Sequence, residues 1–375
     1  MHPLDGISGE LKTLLTSSEP PFIIMADDTP GITVLIATCN RAAVLSETLE
    51  ALTCVDRAGI DCSIVVIDNN SSDDTAEVVK ECGTRLPLSY LREPRPGKSC
   101  ALNKALRECA LKEIVVFTDD DVTPARNWLQ EIVSSVKKWP GIAAFGGKVE
   151  VAWPDNKQPE WAMQDWMMGF GFSRHNYADG EALYAPPNYP VGPNFWVRKH
   201  VVQTLPFFDE TLGPRPKRIM GEETSFLANL QSRGFQILYY PGAEVYHRIL
   251  RETCTVPWLR RRAYTYGRGR IRAYGWHRHD IYLKNRVLWC MVLVAQASYN
   301  VLRFLSGFVL RDPKRNCERT VSAMIIFGQI HETANQVFEH FKPKRREKAE
   351  WSQQTTAQNY STLERIARAP YEKVD

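Results

Sequence analysis

Through residues 31–140, short apolar runs rich in β-branched residues alternate with amphipathic stretches. ITVLIA at 32–37 follows Gly31 and stops at Thr38-Cys39-Asn40, the pattern of a buried strand. SIVVI at 63–67 is a second such run, ending in the polar DNNSSD of 68–73. Residues 86–91 form a third, and EIVVF at 113–117 a fourth that ends at Asp119-Asp120-Asp121. Residues 46–53, 75–82 and 97–110 carry helical spacing, with Gly83 as a stop for the second. Pro124 is expected to open a further helix running to about Trp139. The pattern breaks over 152–190, then resumes as a strand at 194–197, a helix at 222–233 and a strand at 236–240.

Strands alternating with helices predict an α/β fold with a mostly parallel, Rossmann-like central sheet flanked by helices. In such open sheets ligands bind at the carboxyl ends of the strands. The polar clusters at 38–41, 68–73 and 119–121 each follow a strand, so they are expected to gather along one edge. The interruption at 152–190 holds Trp153, Trp161, Trp166, Phe170, Phe172, Tyr177, Tyr184 and Tyr189. It reads equally as a connection with packed aromatics and as a mobile acceptor wall beside the site.

Composition narrows the class. Hydrophobic residues at 44% and charged residues at 24% of 375 exclude a collagenous, disordered or polytopic membrane chain. Nine cysteines with no CxxC pair give neither a zinc knuckle nor a thioredoxin-like motif, and point to reduced thiols in a cytoplasmic protein. Residues 1–28 have no basic segment followed by an apolar one, so no secretory signal is expected. The net charge of +4 is uneven. Residues 251–375 hold 23 Lys and Arg against 11 Asp and Glu, and residues 1–250 hold 24 against 32. An acidic front suits a metal site. A basic back suits an anionic partner, or is simply a solvated surface.

Three adjacent carboxylates at a strand end repel one another unless a cation relieves them. Asp119, Asp120 and Asp121 therefore suit a hard divalent ion, Mg²⁺ or Mn²⁺, which takes carboxylate oxygen and keeps phosphate and water ligands. A helix N-terminal acidic cluster is the alternative. Glu222-Glu223 open a helix after Gly221, and one of them could act as a general base on an acceptor hydroxyl, or both could simply complement the helix dipole. Lys98, in RPGK before a helix, is placed to hold phosphate. His247 is a candidate ligand. No GxxxxGK[ST], GxGxxG or GxSxG stands where a P-loop, nicotinamide or lipase fold would need it. Residues 251–286 contain ten basic and two acidic residues, with Tyr264, Tyr266, Tyr274 and Trp276 interleaved. Without a nucleic-acid motif, a diphosphate clamp or membrane-surface patch fits better than nucleic acid.

The ordered set ITVLIATCNR (32–41), IVVIDNNSSDDT (64–75), PGKSCALNKA (96–105), VFTDDDVTP (116–124), GPNFWVR (192–198), FFDETLG (207–213), GEETSFLANLQSRG (221–234) and YPGAEVYH (240–247) resembles the family 2 inverting glycosyltransferases of GT-A fold. The resemblance covers roughly residues 31–275 and implies a nucleotide-sugar donor, a UDP-sugar by preference, lying across the strand ends. Thr38, Asn40, Arg41, Asp68, Asn69, Lys98, Asp119, Asp120 and Asn194 then match donor-site positions. Asp119 and Asp121 match the ends of the family's DxD, and His247 a histidine that reaches the metal or diphosphate. Glu222 and Glu223 match its acidic pair, whose second member is usually the base. Arg260, Arg261, Arg262 and Arg268 would add charge at the diphosphate. The implied acceptor is a glycan, a lipid-linked sugar or a small molecule.

The implied organisation is a lead-in at 1–30, the catalytic domain at 31–275, a helical extension at 276–342 and a polar tail at 343–375. Residues 287–302 carry no formal charge but are short of the about 20 apolar residues a membrane span needs. This run, and the apolar stretch at 320–330, read either as helices packed on the catalytic domain or as a peripheral contact with an anionic membrane. Two rival functions share the features read from the residues. A sugar-nucleotide nucleotidyltransferase would carry a Gly-rich loop where ATCNR stands. A non-catalytic nucleotide-sugar-binding protein would not need the Glu-Glu pair.

Overall fold

In the computed structural model, residues 29–162, 165–204, 207–213, 219–275, 295, 298, 299 and 313–341 are described. Nearly all of the lead-in, the tail and the uncharged run at 287–302 lie outside them. The first apolar run forms β1 (Ile32–Thr38), followed by α1 (Ala42–Thr53), β2 (Cys62–Asp68), α2 (Thr75–Cys82), β3 (Leu88–Arg92), α3 (Lys98–Glu108) and β4 (Ile114–Asp119). These four strands pair in parallel in the order β3-β2-β1-β4. The register sets Thr38 opposite Asp68 and Ala37 opposite Asp119, so the polar clusters end on one edge.

Then come β5 (Val122–Pro124), α4 (Trp128–Lys138), β6 (Ala144–Ala152), α5 (Asp165–Phe172), β7 (Ala182–Leu183), β8 (Phe195–Arg198), α6 (Lys199–Thr204), α7 (Glu222–Ser232) and β9 (Ile237–Arg248). Two longer helices follow, α8 (Val256–Gly275) and α9 (Pro313–Phe341). The sheet continues from β4 as β8-β6-β9-β5, with β7 also on β9. Strands β8, β5 and β7 run against their neighbours and β6 pairs with β9 in parallel, so the sheet is mostly parallel. The α/β class is as expected.

Alternation along the strands divides the core. Ile32, Val34 and Ile36 of β1 pack with Leu45, Leu49, Trp128 and Ile132 on one face. Leu35 lies on the other face with Ala101, Leu102, Phe117, Phe226 and Leu227. A third cluster joins Met167, Phe170 and Phe172 of α5 to Leu259 and Ala263 of α8 and Cys317 and Val321 of α9. The aromatic interruption is thus largely packed, with Trp153 edge-on to Phe172 at 4.8 Å. The chain divides into two units at Glu332 and Thr333. No helix among the described residues is long and apolar enough to cross a membrane.

Two elements differ from the sequence pattern. Pro124 ends the short strand β5 instead of opening a helix, with Val122 opposite His247. Proline lacks the N–H a ladder would use and is tolerated at such an edge, and the chain turns before α4 begins at the fully buried Trp128. The strand expected at 236–240 runs on to Arg248. Its apolar pattern breaks at Pro241-Gly242 because the β6–β9 register shifts there. Gly147 pairs with Tyr240 and Lys148 with Glu244, leaving Pro241, Gly242 and Ala243 without partners in that ladder. The Asn194 amide fills the gap, donating to Lys148 O at 2.9 Å and Ala243 O at 2.8 Å.

Helix α8 meets the segment before α7 backbone to backbone, and a Cβ on Gly269 would overlap the carbonyl of Met220. That contact sets the depth of the Glu222-Glu223 helix end. Gly269→Ala should therefore destabilise the fold by about 2 kcal/mol, the usual scale of overpacking, and lower turnover by displacing α7. Denaturant unfolding and a rate assay check this. Wild-type stability and turnover would refute the contact.

Candidate active site

Asp120 and Asp121 are buried, Asp119 is half-buried, and each is met by a cation. Thr38 donates to Asp120 Oδ2 at 2.6 Å. Arg41 forks across two carboxylates, Nη1 to Asp120 Oδ1 at 2.6 Å and Nη2 to Asp121 Oδ2 at 2.8 Å. Burial, with the neighbouring Asp121 charge, raises the Asp120 pKa to about 7. Asp121 is shifted the other way: His247 and Arg41 more than offset the cost of burial and hold it well below the usual range.

Lys98 occupies the centre. Its Nζ lies 2.6 Å from Asp119 Oδ1, 3.2 Å from Glu223 Oε1 and 3.7 Å from Glu222 Oε1. Gly192 allows Glu223 this position, since a Cβ there would overlap Glu223 Oε1. Burial and the adjacent Glu223 charge push the Glu222 pKa up to about 8. Burial opposes ionisation of Glu223 as well, but Lys98 outweighs it and the net shift is downward. One carboxyl of the pair is therefore protonated and the other ionised at neutral pH, the division of roles that acid–base chemistry uses.

On the far side of the carboxylate row, His247 Nδ1 lies 2.7 Å from the carbonyl of Phe172, which can only accept, so Nδ1 carries the hydrogen. Its Nε2 faces Asp121 Oδ1 at 3.3 Å. That oxygen is buried without a hydrogen-bond partner. Burial lowers the His247 pKa, but Asp121 reverses the shift to a net rise, so a proton and a metal ion would compete for this pair. A lone carboxylate oxygen beside an oriented imidazole fits a divalent cation. Among the described residues no group of three or more side chains could hold a metal, so the remaining ligands would be phosphate and water.

These groups line one cavity of about 1020 Å³, together with Trp166, Phe170, Asn176, Trp258, Tyr266 and Arg270. Of the residues expected in the site, Thr38, Arg41, Asn69, Lys98, Asp119, Asp120, Asp121, Glu222, Glu223, His247 and Arg262 are brought to it. Asp119 is engaged by Lys98. Asp68, Asn40 and Asn194 lie outside the lining. Asp68 accepts from Ser71 N and Tyr90 OH. Asn40 accepts from Ser72 N at 2.7 Å. Asn194 is fully buried in the β6–β9 gap and also accepts from Trp128 Nε1.

Of the four expected arginines, only Arg262 lines the cavity. Arg260 donates to Thr320, and Arg268 pairs with the buried Glu332 of α9 at 2.8 Å. Arg261 is outside the lining. Arg248, which also lines the cavity, is not singled out by the sequence pattern. Its guanidinium donates to Val122 O and Val44 O and so ties β9 to α1.

The strand ends thus gather paired acids and a lysine at one cavity, the arrangement of a group-transfer site. Residues 30–264 match the family described as "Glycosyltransferase like family 2". The chain belongs to this family and is a glycosyltransferase. Glycosyltransferase AglE of Haloferax volcanii is 25% identical over 53% of this chain and 71% of its own. The probable glycosyltransferase YdaM of Bacillus subtilis is 24% identical over 64% of this chain and 55% of its own. The succinoglycan biosynthesis protein ExoM of Rhizobium meliloti is 25% identical over 66% and 77%. A mannosyltransferase from Pyrobaculum calidifontis, solved with GDP-Man and Mn²⁺, shares the fold with a TM-score of 0.53 at 22% identity, over 87% of this chain and 93% of that one.

The raised pKa of Glu222 has a stability consequence. Unfolded, the group titrates near 4.5, and folded near 8. Between these values the folded chain keeps a proton the unfolded chain has lost. The contribution is complete below 4.5 and is lost as pH rises through 8. Glu222→Gln removes this dependence, so the variant should gain stability relative to wild type between about pH 5 and about pH 9. Urea unfolding at both pH values tests it, and a constant difference would contradict the protonated assignment.

Proposed function

We propose that the protein transfers a sugar from a nucleotide-diphosphate donor to an acceptor hydroxyl with inversion at the anomeric carbon. The observation that carries this reading is the Lys98 bridge, which holds Asp119 of the strand-end cluster and Glu223 of α7 within 3.2 Å of one ammonium. Donor-side acids and the acid pair are thereby fixed around one point. Thr38, Arg41 and Asn69 are proposed to border the nucleotide, and Arg262 to face its diphosphate. UDP-sugars are the first donors to test, with GDP-mannose as the comparison. The description of ExoM as a succinoglycan biosynthesis protein supports an acceptor within a glycan or glycolipid.

Asp121 and His247 would hold a divalent cation, Mg²⁺ or Mn²⁺, which when bound supplies charge neutralisation for a departing diphosphate. The chain's own residues do the rest. Glu223, kept ionised by Lys98, accepts the acceptor hydroxyl proton on Oε as the oxygen attacks the anomeric carbon. The bond from that carbon to the diphosphate oxygen breaks on the opposite face, and the electron pair leaves with the nucleotide. Glu222, protonated, remains beside Glu223 and does not compete for the incoming proton. Arg262 adds positive charge near the leaving group.

Two variants test the roles. Glu223→Gln should lower kcat by about 10²–10⁴, the usual share of a general base, with donor Kd little changed; wild-type turnover would move the base elsewhere. Asp121→Asn should abolish the Mn²⁺-dependent rise in thermal stability given by UDP. If Mn²⁺ still enhances UDP stabilisation in that variant, Asp121 is not a ligand.

A further inference from the structure

Helix α5 places an aromatic ring where the proposed mechanism gives it no part. Trp166 is 40% exposed and lines the cavity. Met167, Met168, Phe170 and Phe172 of the same helix are buried. Trp166 and Phe170 are four residues apart and so share a face of the helix. Their rings stack, with centroids 5.6 Å apart and planes 26° apart. Phe170 is backed in turn by Tyr266 of α8 at 5.2 Å. One face of the indole is thus supported and the other is left to the cavity. Gly169, also in the lining, keeps the adjoining surface low, since a Cβ there would meet nothing closer than Arg174 O at 3.8 Å.

The same helix is tied to the reacting centre. Its last turn gives the Phe170 carbonyl to Arg262 Nε at 2.9 Å and the Phe172 carbonyl to His247 Nδ1 at 2.7 Å. Helix C-terminal carbonyls favour such cationic partners. The exposed ring is therefore held in fixed relation to the groups at the carboxylate row. Asn176, in the same cavity, accepts from Tyr239 OH through Oδ1, and its amide nitrogen has no partner among the described residues.

We infer that Trp166 is the platform on which a pyranose ring of the acceptor stacks, so that the acceptor is a glycan. This rests on the glycosyl-transfer reading of the cavity. A pyranose presents a face of axial C–H groups and a rim of hydroxyls. A flat indole meets the first, and amide and guanidinium groups such as Asn176 and Arg270 meet the second. A lipid chain would need a continuous apolar groove, whereas this wall alternates rings with polar groups.

Saturation-transfer NMR on the full chain, with cellobiose, maltose, lactose and N,N′-diacetylchitobiose as probes in the presence of UDP and Mn²⁺, tests the platform. At least one disaccharide should bind the wild type through its ring C–H protons. Trp166→Ala should weaken that binding about tenfold or more, the scale of losing an aromatic anchor, and Trp166→Phe should restore part of it. Gly169→Leu keeps the indole but raises the floor beside it, and should also weaken the sugar. UDP affinity by calorimetry should match wild type in all three variants. The platform is refuted if no probe binds a wild type that binds UDP, if Trp166→Ala holds sugar like wild type, or if that variant loses UDP affinity. Sugar binding that depends on Trp166 in a protein that ignores UDP would instead remove the donor reading and leave the platform standing.

Discussion

A single half-buried ammonium governs the site. Lys98 lies among Asp119, Glu222 and Glu223, on three different stretches of chain. Buried carboxylates are costly unless paired, and breaking one partner of such a group leaves the others uncompensated. With Arg41 and His247 on the other side of the row, the cations are distributed so that each acid keeps a distinct state. Asp121 and Glu223 are held ionised, while Asp120 and Glu222 are pushed toward the protonated form. The fold supplies this by ordinary means. Parallel strands end together, α3 starts with Lys98 beside them, and α7 starts with the glutamates.

The strands were the most legible part of the chain because buried parallel strands are continuous apolar runs with abrupt polar ends. The acids and Lys98 could be singled out for the same reason: each follows an apolar run or opens a helix. The sequence pattern failed where one local rule met a stronger tertiary one. Pro124 carried a helix-start signal, yet pairing of β5 with β9 took precedence. Asp68 and Asn194 look like ligand-binding polar residues, but local backbone and side-chain donors and acceptors had already claimed their atoms. Ser71 is only three residues from Asp68, but Tyr90 and every partner of the Asn194 side chain are distant in the chain.

Charge counting cannot see internal pairing for a related reason. Residues 251–286 read as a diphosphate clamp or membrane-surface patch, but within the described part Arg268 and Arg272 turn onto Glu332 of α9, and Arg260 onto Thr320. A single buried carboxylate thus accounts for two of the charges that suggested an anionic partner. Arg262 is the exception: it reaches the cavity from the packed face of α8, where its Nε also donates to the Phe170 carbonyl of α5.

The three unpaired residues of β9 have a parity consequence. Successive strand residues face opposite sides of a sheet, so an odd insertion exchanges the sides for everything after it. Before the gap, Leu238 and Tyr240 belong to the α1–α4 face; after it, Val245 does. Downstream of it, His247 stands opposite Val151. Had the gap held two residues, Tyr246 would stand there, and had it held four, Arg248 would. The imidazole beside Asp121 therefore depends on that gap holding three residues. Asn194, whose amide donates to Lys148 O and Ala243 O, braces that gap without lining the cavity.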